Sequence, residues 1–159
     1  RFGAIFRLDF YQKNEIFKIL KRTASILEMN VQDDALTEIA GRSRGTPRIA
    51  NRVLKRVRDF AQVKNVKEIS LEDARSSLDS IGIDENGLEN MDRKILKNLI
   101  VNYNGGPTGG KSLAISINED IQTIEDVYEP YLIKEGFIER TSRGRIATDK
   151  AYALFDLKK

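Results

Sequence analysis

The sequence predicts a mainly α-helical chain with two small domains, a four-helix bundle followed by a helix-turn-helix unit that ends in a β-hairpin. Apolar residues recur at helical spacing through the first half of the 159 residues. A stretch at 81–91 breaks this pattern, because it contains three acidic residues, two glycines and no base. Further helical segments follow, and then two strand-like segments joined by a basic turn. We therefore expect domains at 1–80 and 92–159, with 81–91 as the linker.

Four helix starts are predicted in the first domain from capping residues. An oxygen-bearing side chain just before a helix accepts hydrogen bonds from its first N–H groups, and proline suits the first helical position. A serine followed three residues later by an acid resembles a capping box. The expected starts are Asn14, either Asp33 or Asp34, Thr46 with Pro47, and Ser70 with Asp73. The apolar faces of these four segments predict a small bundle.

The third predicted helix has one apolar face and one basic face. Ile49, Val53, Val57 and Phe60 form a stripe that we expect in the core. Arg48 lies in the first turn, where it makes a positive site suited to a phosphate or carboxylate on a neighbouring surface. The second stripe consists of Arg48, Arg52, Lys55, Arg56 and Asp59. It is either a solvated face or a contact for an adjacent subunit or an acidic ligand.

The composition excludes several classes of function. The chain has no Cys and no His, which removes disulfides, thiolate chemistry, the common metal sites and imidazole catalysis, so we expect no metal site. Its 27 basic and 24 acidic residues leave a net charge of +3, which permits a nucleic-acid partner without requiring one. No apolar run approaches the roughly 20 residues of a membrane span, and the start is unlike a signal peptide. We therefore expect a cytoplasmic protein with no membrane partner.

A glycine-rich segment, Gly105–Ser112, matches the Walker A pattern of nucleotide-binding loops at every specified position. Such a loop must leave a buried strand and enter a helix, so that its N–H groups surround the phosphates. The preceding residues Ile95, Leu96 and Leu99 follow helical spacing instead. We therefore interpret the segment as a turn. A small nucleotide-binding protein remains an alternative, which an ATP affinity abolished by Lys111→Ala would support.

The second domain is predicted to be a winged helix. Two helical segments joined by a short polar turn have the spacing of a helix-turn-helix. Two short strands follow, and the polar, basic turn between them forms the tip of a wing. The expected elements are helices over Ser112–Ile117, Thr123–Gly136 and Lys150–Leu157 and strands over Phe137–Arg140 and Arg145–Thr148.

The helix in the recognition position is acidic, whereas the wing is basic. Lys134 is the only base on this helix, and Pro130 interrupts its hydrogen bonding. A helix of this charge matches a phosphate-lined major groove poorly. Its carboxylates are Glu125, Asp126, Glu129 and Glu135, and the wing carries Arg140, Arg143 and Arg145. We therefore expect the three wing arginines to contact DNA through phosphates or the minor groove, without base readout.

Several of these segments together resemble the RuvB family, the AAA+ motors of Holliday-junction branch migration. Arg44–Phe60 closely resembles the lid domain of that family. Further similar segments, which together span nearly the whole chain, are Arg1–Gly3, Arg7–Tyr11, Met91–Lys94, Gly105–Pro107, Thr123–Leu132 and Arg143–Arg145. The resemblance implies an AAA+ lid bundle followed by a winged-helix domain. It also implies that Gly105–Pro107 is the turn between the first two helices of the second domain, with Lys111 and Ser112 matching the nucleotide pattern by coincidence.

The resemblance also implies roles for two arginines. Arg48 matches the sensor 2 residue of the family, which reaches the γ-phosphate of ATP bound in the preceding domain and couples nucleotide state to lid angle. Arg1 stands where the family places its arginine finger, which enters the ATP site of the next subunit. On this basis Arg1 would be a catalytic residue acting in trans, and Arg48 a nucleotide-binding residue.

The function implied is that of the C-terminal part of an ATP-dependent DNA helicase or translocase, an ATP hydrolase that drives branch migration in recombination and repair. The full protein would use ATP and Mg²⁺, form a hexameric ring on double-stranded DNA at Holliday junctions, and work with a RuvA-like junction-binding protein. The fragment lacks the domain with the Walker motifs, so we expect it to be inactive alone and to hold no nucleotide tightly. The alternative is a non-enzymatic winged-helix transcription regulator, against which the acidic recognition helix argues.

Overall fold

The computed structural model describes Gly3 and residues 9–158 of the chain. The chain divides after Leu88 into two compact units, each of which is described by itself below. The first unit is helical and the second combines helices with a short antiparallel hairpin, which confirms the predicted fold class. Within the described residues, no helix is both long enough and apolar enough to cross a membrane.

Within residues 9–88, four helices and a short parallel bridge form the first unit. The helices are α1 (Lys13–Ile26), α2 (Asp33–Gly41), α3 (Pro47–Val63) and α4 (Leu71–Ser80). Val31, between α1 and α2, forms the bridge with Ile69, which precedes α4. Backbone hydrogen bonds of 2.9 and 3.0 Å hold these two connections together. Because α2 packs against the other three helices, buried aliphatic side chains from all four helices form one core.

Two predicted helix starts are confirmed in position. Thr46 is the N-cap residue of α3 and Pro47 is its first residue, but within the described residues the Thr46 hydroxyl makes no capping hydrogen bond and donates to the carbonyl of Ser43 at 3.4 Å. Ser70 is the N-cap of α4: its hydroxyl accepts a hydrogen bond from the Asp73 N–H at 3.2 Å, and the Asp73 carboxylate accepts one from the Ser70 N–H at 3.1 Å. The Ser70 hydroxyl and N–H both donate to this carboxylate, and they hold the pKa of Asp73 below its ordinary value.

The predicted start of the first helix is wrong. Asn14 lies inside α1, and the N-cap is Gln12. The N–H of Gln12 donates to the carboxylate of Glu15 at 2.8 Å in a capping box, so the helix starts two residues earlier than a cap at Asn14 would place it. The Gln12 and Glu15 pair therefore outcompetes the single asparagine cap.

The core face of α3 is broader than the predicted stripe. Val53 and Val57 are fully buried as expected, whereas Ile49 and Phe60 are only half-buried. The remaining core positions of the helix are Ala50, Leu54 and Ala61. α3 contacts α1, α2 and α4, so neighbours cover more of its surface than one line of residues.

A buried arginine, Arg42, binds two carboxylates at the end of α2. It donates to Glu38 at 2.7 Å and to Asp79 at 3.2 Å, and Arg75 lies 3.5 Å from Glu38. Burial raises the pKa of Glu38, but hydrogen bonds and charge attraction from Arg42 and Arg75 more than offset it, so the pKa is lowered. This cluster connects α2 to α4 across the surface of the bundle.

Residues 81–88, inside the predicted linker, are packed against the first unit. Arg42 donates to the carbonyl of Ile83 at 3.1 Å, and Arg44 donates to the carbonyl of Gly87 at 3.0 Å. The side chains of Ile83 and Leu88 are buried. The division after Leu88 therefore falls within the expected 81–91 stretch, although most of that stretch is ordered on the bundle.

Within residues 89–158, the second unit consists of short helices and one hairpin. Its elements are α5 (Asn90–Tyr103), α6 (Gly110–Ile117), α7 (Ile121–Thr123), a π-helical turn (Ile124–Tyr128), α8 (Glu129–Lys134), β1 (Ile138–Thr141), β2 (Gly144–Ala147) and α9 (Asp149–Ala153). β1 and β2 pair antiparallel with Arg140 opposite Arg145. Thr108, in the loop after α5, pairs with Arg145 as well. This arrangement confirms the predicted winged helix.

The helix starts of the second unit differ from the prediction by a few residues. Thr123, the expected cap of the recognition helix, instead donates its N–H to the carboxylate of Asp120 at 3.0 Å, so Asp120 is the cap. An acid three residues earlier supplies the stronger acceptor. Thr148 caps α9, which is shorter than the expected Lys150–Leu157 helix because it ends at Ala153.

A π-helical turn precedes Pro130 in the recognition helix. Proline has no N–H, so it cannot donate the usual hydrogen bond to the carbonyl four residues earlier. The N–H of Glu129 bonds the carbonyl of Ile124, five residues earlier, and the helix widens there. Glu129 is 1% exposed. The turn therefore places a carboxylate inside the domain, behind the wing.

Candidate functional site

The basic face of α3 is exposed to solvent, and a hydrogen bond to α1 holds the helix in place. Thr23 on α1 donates its hydroxyl to the side-chain oxygen of Asn51 at 2.9 Å, and this contact fixes the part of α3 between Arg48 and Arg52. Lys55 and Arg56 are exposed further along, as are both of these arginines. The structure thus presents all four basic residues of the predicted stripe to solvent.

Arg48 is the member of this face nearest the start of α3. Within residues 9–158, no hydrogen bond or ion pair holds its guanidinium, so its charge is available to an anion. The other expected nucleotide-site residue, Arg1, lies outside the described residues.

The tip of the wing presents Arg143 on a constrained turn. The hydroxyl of Thr141 donates to the carbonyl of Gly144 at 2.9 Å and accepts from the N–H of Arg143 at 3.3 Å. Gly144 has φ +135°, a backbone conformation that favours glycine. Arg143 is exposed, and no contact within the described part of the chain neutralises its charge. A phosphate approaching the tip would meet this guanidinium first.

Arg145 differs from the expectation that it faces DNA. Its side chain is only 7% exposed, and its Nε lies 2.5 Å from Oε1 of Glu129. One terminal nitrogen lies equally close to Oε1 of Glu125, at 2.5 Å. Burial opposes the charged form of Arg145, but the hydrogen bonds that it donates to Glu129 and then to Glu125 more than offset this, so the pKa of Arg145 is raised. Two of the three guanidinium nitrogens bind carboxylates inside the domain, and the group cannot reach a phosphate without breaking these pairs.

Arg140 occupies an intermediate position. Its side chain is 55% exposed, and its terminal nitrogens lie 3.4 Å from Glu125 and 3.7 Å from Glu129. These contacts are longer than those of Arg145, so Arg140 can exchange partners more readily. Of the three predicted wing arginines, the structure therefore exposes Arg143 fully and Arg140 partly, and it buries Arg145.

Sequence reasoning missed the partners of these arginines, Glu125 and Glu129. The sequence indicates only that their charge is unfavourable to DNA, whereas the structure shows that they bind the wing. One signal was available: on a strand, Arg145 and Ala147 point to the same face, and β2 is buried at both positions. An arginine that shares a face with a core alanine requires an internal carboxylate.

The glycine-rich loop is built around Arg145 and Tyr152 and does not fit a nucleotide. It follows helix α5, and not a strand. A Cβ at Gly105 would overlap the Tyr152 hydroxyl, and one at Gly106 would overlap the Arg145 carbonyl. At Gly110 it would come within 2.5 Å of the Arg145 guanidinium. These glycines therefore make room for the wing and for Tyr152 of α9, which accounts for them without a phosphate.

Comparison with known proteins agrees with this architecture. Residues 11–84 match the RuvB AAA lid domain, and residues 85–156 match the RuvB C-terminal winged helix domain. The chain is similar to the solved structure of the Thermotoga maritima RuvB Holliday junction branch migration motor, with a TM-score of 0.96 and 46% identity, covering 100% of this chain and 53% of the other.

Curated relatives give the same result. The Holliday junction branch migration complex subunit RuvB of Fusobacterium nucleatum is 49% identical over 155 residues, covering 98% of this chain and 47% of the relative. The same subunit of Chlorobaculum parvum is 55% identical over 155 residues, with 98% and 45% covered. The chain thus spans about half the length of the relatives it matches. It belongs to the RuvB family, of which it comprises the lid and the C-terminal winged-helix domain.

Proposed function

We propose that this chain is the nucleotide-sensing and DNA-binding C-terminal part of an ATP-dependent motor that drives branch migration of Holliday junctions. In this proposal ATP and Mg²⁺ bind in a preceding domain, and the full protein is a cytoplasmic hexameric ring on double-stranded DNA. A RuvA-like protein would bring it to the junction. The relatives named for that process, at 49 and 55% identity over nearly the whole chain, support the proposal.

The observation that best supports DNA binding is the exposed charge of Arg143 at the wing tip, which is unpaired within the described part of the chain. The turn holds this residue outward, and its neighbours Ser142 and Thr141 are also exposed and polar. A guanidinium and hydroxyls of this kind bind phosphate oxygens without distinguishing bases. A protein that moves along DNA must bind it independently of base sequence. The wing, which offers such phosphate contacts, is therefore the proposed DNA contact.

Nucleotide sensing is assigned to the lid. Arg48 is exposed at the start of α3 and unengaged within residues 9–158, and the bundle fixes the helix that carries it. A guanidinium so placed can bind a phosphate of a nucleotide held by another domain. A change in that contact would alter the angle between lid and nucleotide domain.

The DNA-binding part of the proposal is tested by fluorescence anisotropy with a labelled four-way junction, a linear duplex and a duplex of scrambled sequence. We expect similar, salt-sensitive binding to both duplexes. Arg143→Ala should weaken it and make the negative slope of log K against log salt shallower by about 1. Lys97→Ala, which removes an exposed charge from α5, is the matched control and should change binding little. Binding confined to one duplex sequence would contradict the proposal and favour a transcription regulator.

A further inference from the structure

Two carboxylates and two guanidiniums meet at the base of the wing. Glu125 and Glu129 lie on the recognition helix, and Arg140 and Arg145 lie on β1 and β2. One oxygen of Glu125, Oε1, lies within 2.5 Å of Arg145 and 3.4 Å of Arg140. The formal charges of the four groups cancel, so this cluster, which we call the wing-base cluster, presents no net charge to DNA.

The two arginines of the wing-base cluster are held unequally. Arg145 is buried and bound to both carboxylates at short distance. Arg140 is 55% exposed and makes only longer contacts. An exposed ion pair of this kind contributes little stability, since water screens it. A phosphate can therefore compete with the carboxylates for Arg140 but not for Arg145.

The carboxylate that faces this competition is that of Glu125. Its side chain is 28% exposed, whereas that of Glu129 is 2% exposed and committed to Arg145. The second oxygen of Glu129 has no hydrogen bond within the described chain and lies 3.7 Å from Arg140. Glu125 thus occupies the place beside Arg140 that a DNA phosphate would take.

We propose that Glu125 is an internal competitor of DNA phosphate for Arg140 and so limits the affinity of the wing for DNA. This inference rests on the proposed function, because it requires the wing to contact DNA. With Glu125 present, Arg143 supplies most of the free positive charge of the wing. Without it, Arg140 becomes a second phosphate contact.

The test uses Glu125→Gln, which removes the negative charge but keeps an oxygen that can accept from Arg145. We expect duplex DNA to bind roughly two- to fivefold more tightly, the size that one exposed ion pair allows. The slope of log K against log salt should become more negative by about 0.9, since one more phosphate is neutralised. Asp126→Asn is the matched control, because this neighbouring carboxylate is exposed and contacts Gln122 instead of the wing.

A double-mutant comparison assigns the effect to Arg140. In an Arg140→Ala background, Glu125→Gln should change DNA affinity no more than Asp126→Asn does. Glu125→Asp keeps the charge but shortens the side chain, and it should give an intermediate gain. Thermal melting of each variant checks that the wing remains folded.

Three results are decisive. A gain for Glu125→Gln that disappears with Arg140→Ala supports the proposal. An unchanged or weaker affinity for both Glu125 variants, while Arg143→Ala still weakens binding, overturns this inference alone. If neither Arg143→Ala nor Arg140→Ala affects DNA binding, the wing is not the DNA contact, and both the proposed function of the wing and this inference fail.

Discussion

Glu129 and Arg145 form a buried ion pair that joins the recognition helix to the wing, with Oε1 and Nε 2.5 Å apart. Breaking one side of such a pair leaves the other charge buried and only partly compensated. We expect Glu129→Ala to lower the free energy of unfolding of the winged-helix unit by about 3 kcal/mol or more. Calorimetric unfolding of the chain measures this change.

The control for that prediction is Glu139→Ala. Glu139 lies on β1 and is exposed, so its replacement should cost less than about 0.5 kcal/mol. Equal losses for the two variants would show that the buried pair is not what fixes the wing.

Alanine substitutions at two glycines with positive φ distinguish the cost of backbone strain from the cost of a steric clash. Gly136 has φ +72° and open space where a Cβ would stand, whereas a Cβ at Gly144 would overlap the backbone of Thr108. We expect Gly136→Ala to cost about 1 kcal/mol, from strain alone. Gly144→Ala adds an overpacking cost of about 1 to 3 kcal/mol. Chemical unfolding of both variants checks the order, and a Gly136 variant that is the less stable of the two would contradict it.

The capping box of α4 predicts a dependence of stability on pH. The pKa of Asp73 is lowered in the folded chain, so its contribution is present above the unfolded pKa and disappears as pH falls through the folded value. Ser70→Ala removes the hydroxyl that lowers this pKa and should cost about 1 kcal/mol at pH 7.

The difference between wild type and Ser70→Ala should therefore shrink as the pH falls below about 4. Unfolding curves recorded between neutral and acid pH measure it. Ser80→Ala, at the exposed end of the same helix, is the control and should show no such dependence. A stability difference between wild type and Ser70→Ala that grows toward acid pH would show that Asp73 is not its source.

Arg48 is predicted to act on ATP hydrolysis and not on DNA binding. In the full-length protein we expect Arg48→Ala to reduce turnover by about tenfold or more, since one donor to a developing charge is worth on the order of 10² in rate. Arg56→Ala removes an exposed base from the same helix face and is the control. Steady-state hydrolysis and junction binding are measured together. A loss of both activities, or of neither, would remove nucleotide sensing from Arg48.

Local signals in the sequence predict most of the fold. Thr46 with Pro47 and Ser70 with Asp73 act within one helical turn, so no knowledge of the tertiary structure is needed to recognise these starts. The predicted cap at Asn14 is wrong for an equally local reason, because Gln12 and Glu15 form a capping pair around it and start the helix two residues earlier.

The candidate site was harder to predict because its contacts are distant in the chain. The burial of Arg145 depends on Glu129, which a π-helical turn places inside, and on glycines 35 or more residues earlier, such as Gly110 and Gly106. A pattern of basic residues on a hairpin cannot reveal those partners. Arg143 was predictable because its exposure follows from the turn alone.

The contact between Gly110 and the Arg145 guanidinium has a consequence for chemical complementation. Arg145→Ala would leave a flat, guanidinium-sized space against Gly110, with two acceptor carboxylates beside it. Free guanidinium ion, far below the molar concentrations that unfold proteins, should therefore raise the melting temperature of Arg145→Ala while leaving wild type unaffected or slightly destabilised. Urea at the same concentration should not do so, because it carries no charge. The glycine-rich loop, whose sequence matches a phosphate-binding pattern, would then form part of a binding site for the guanidinium cation.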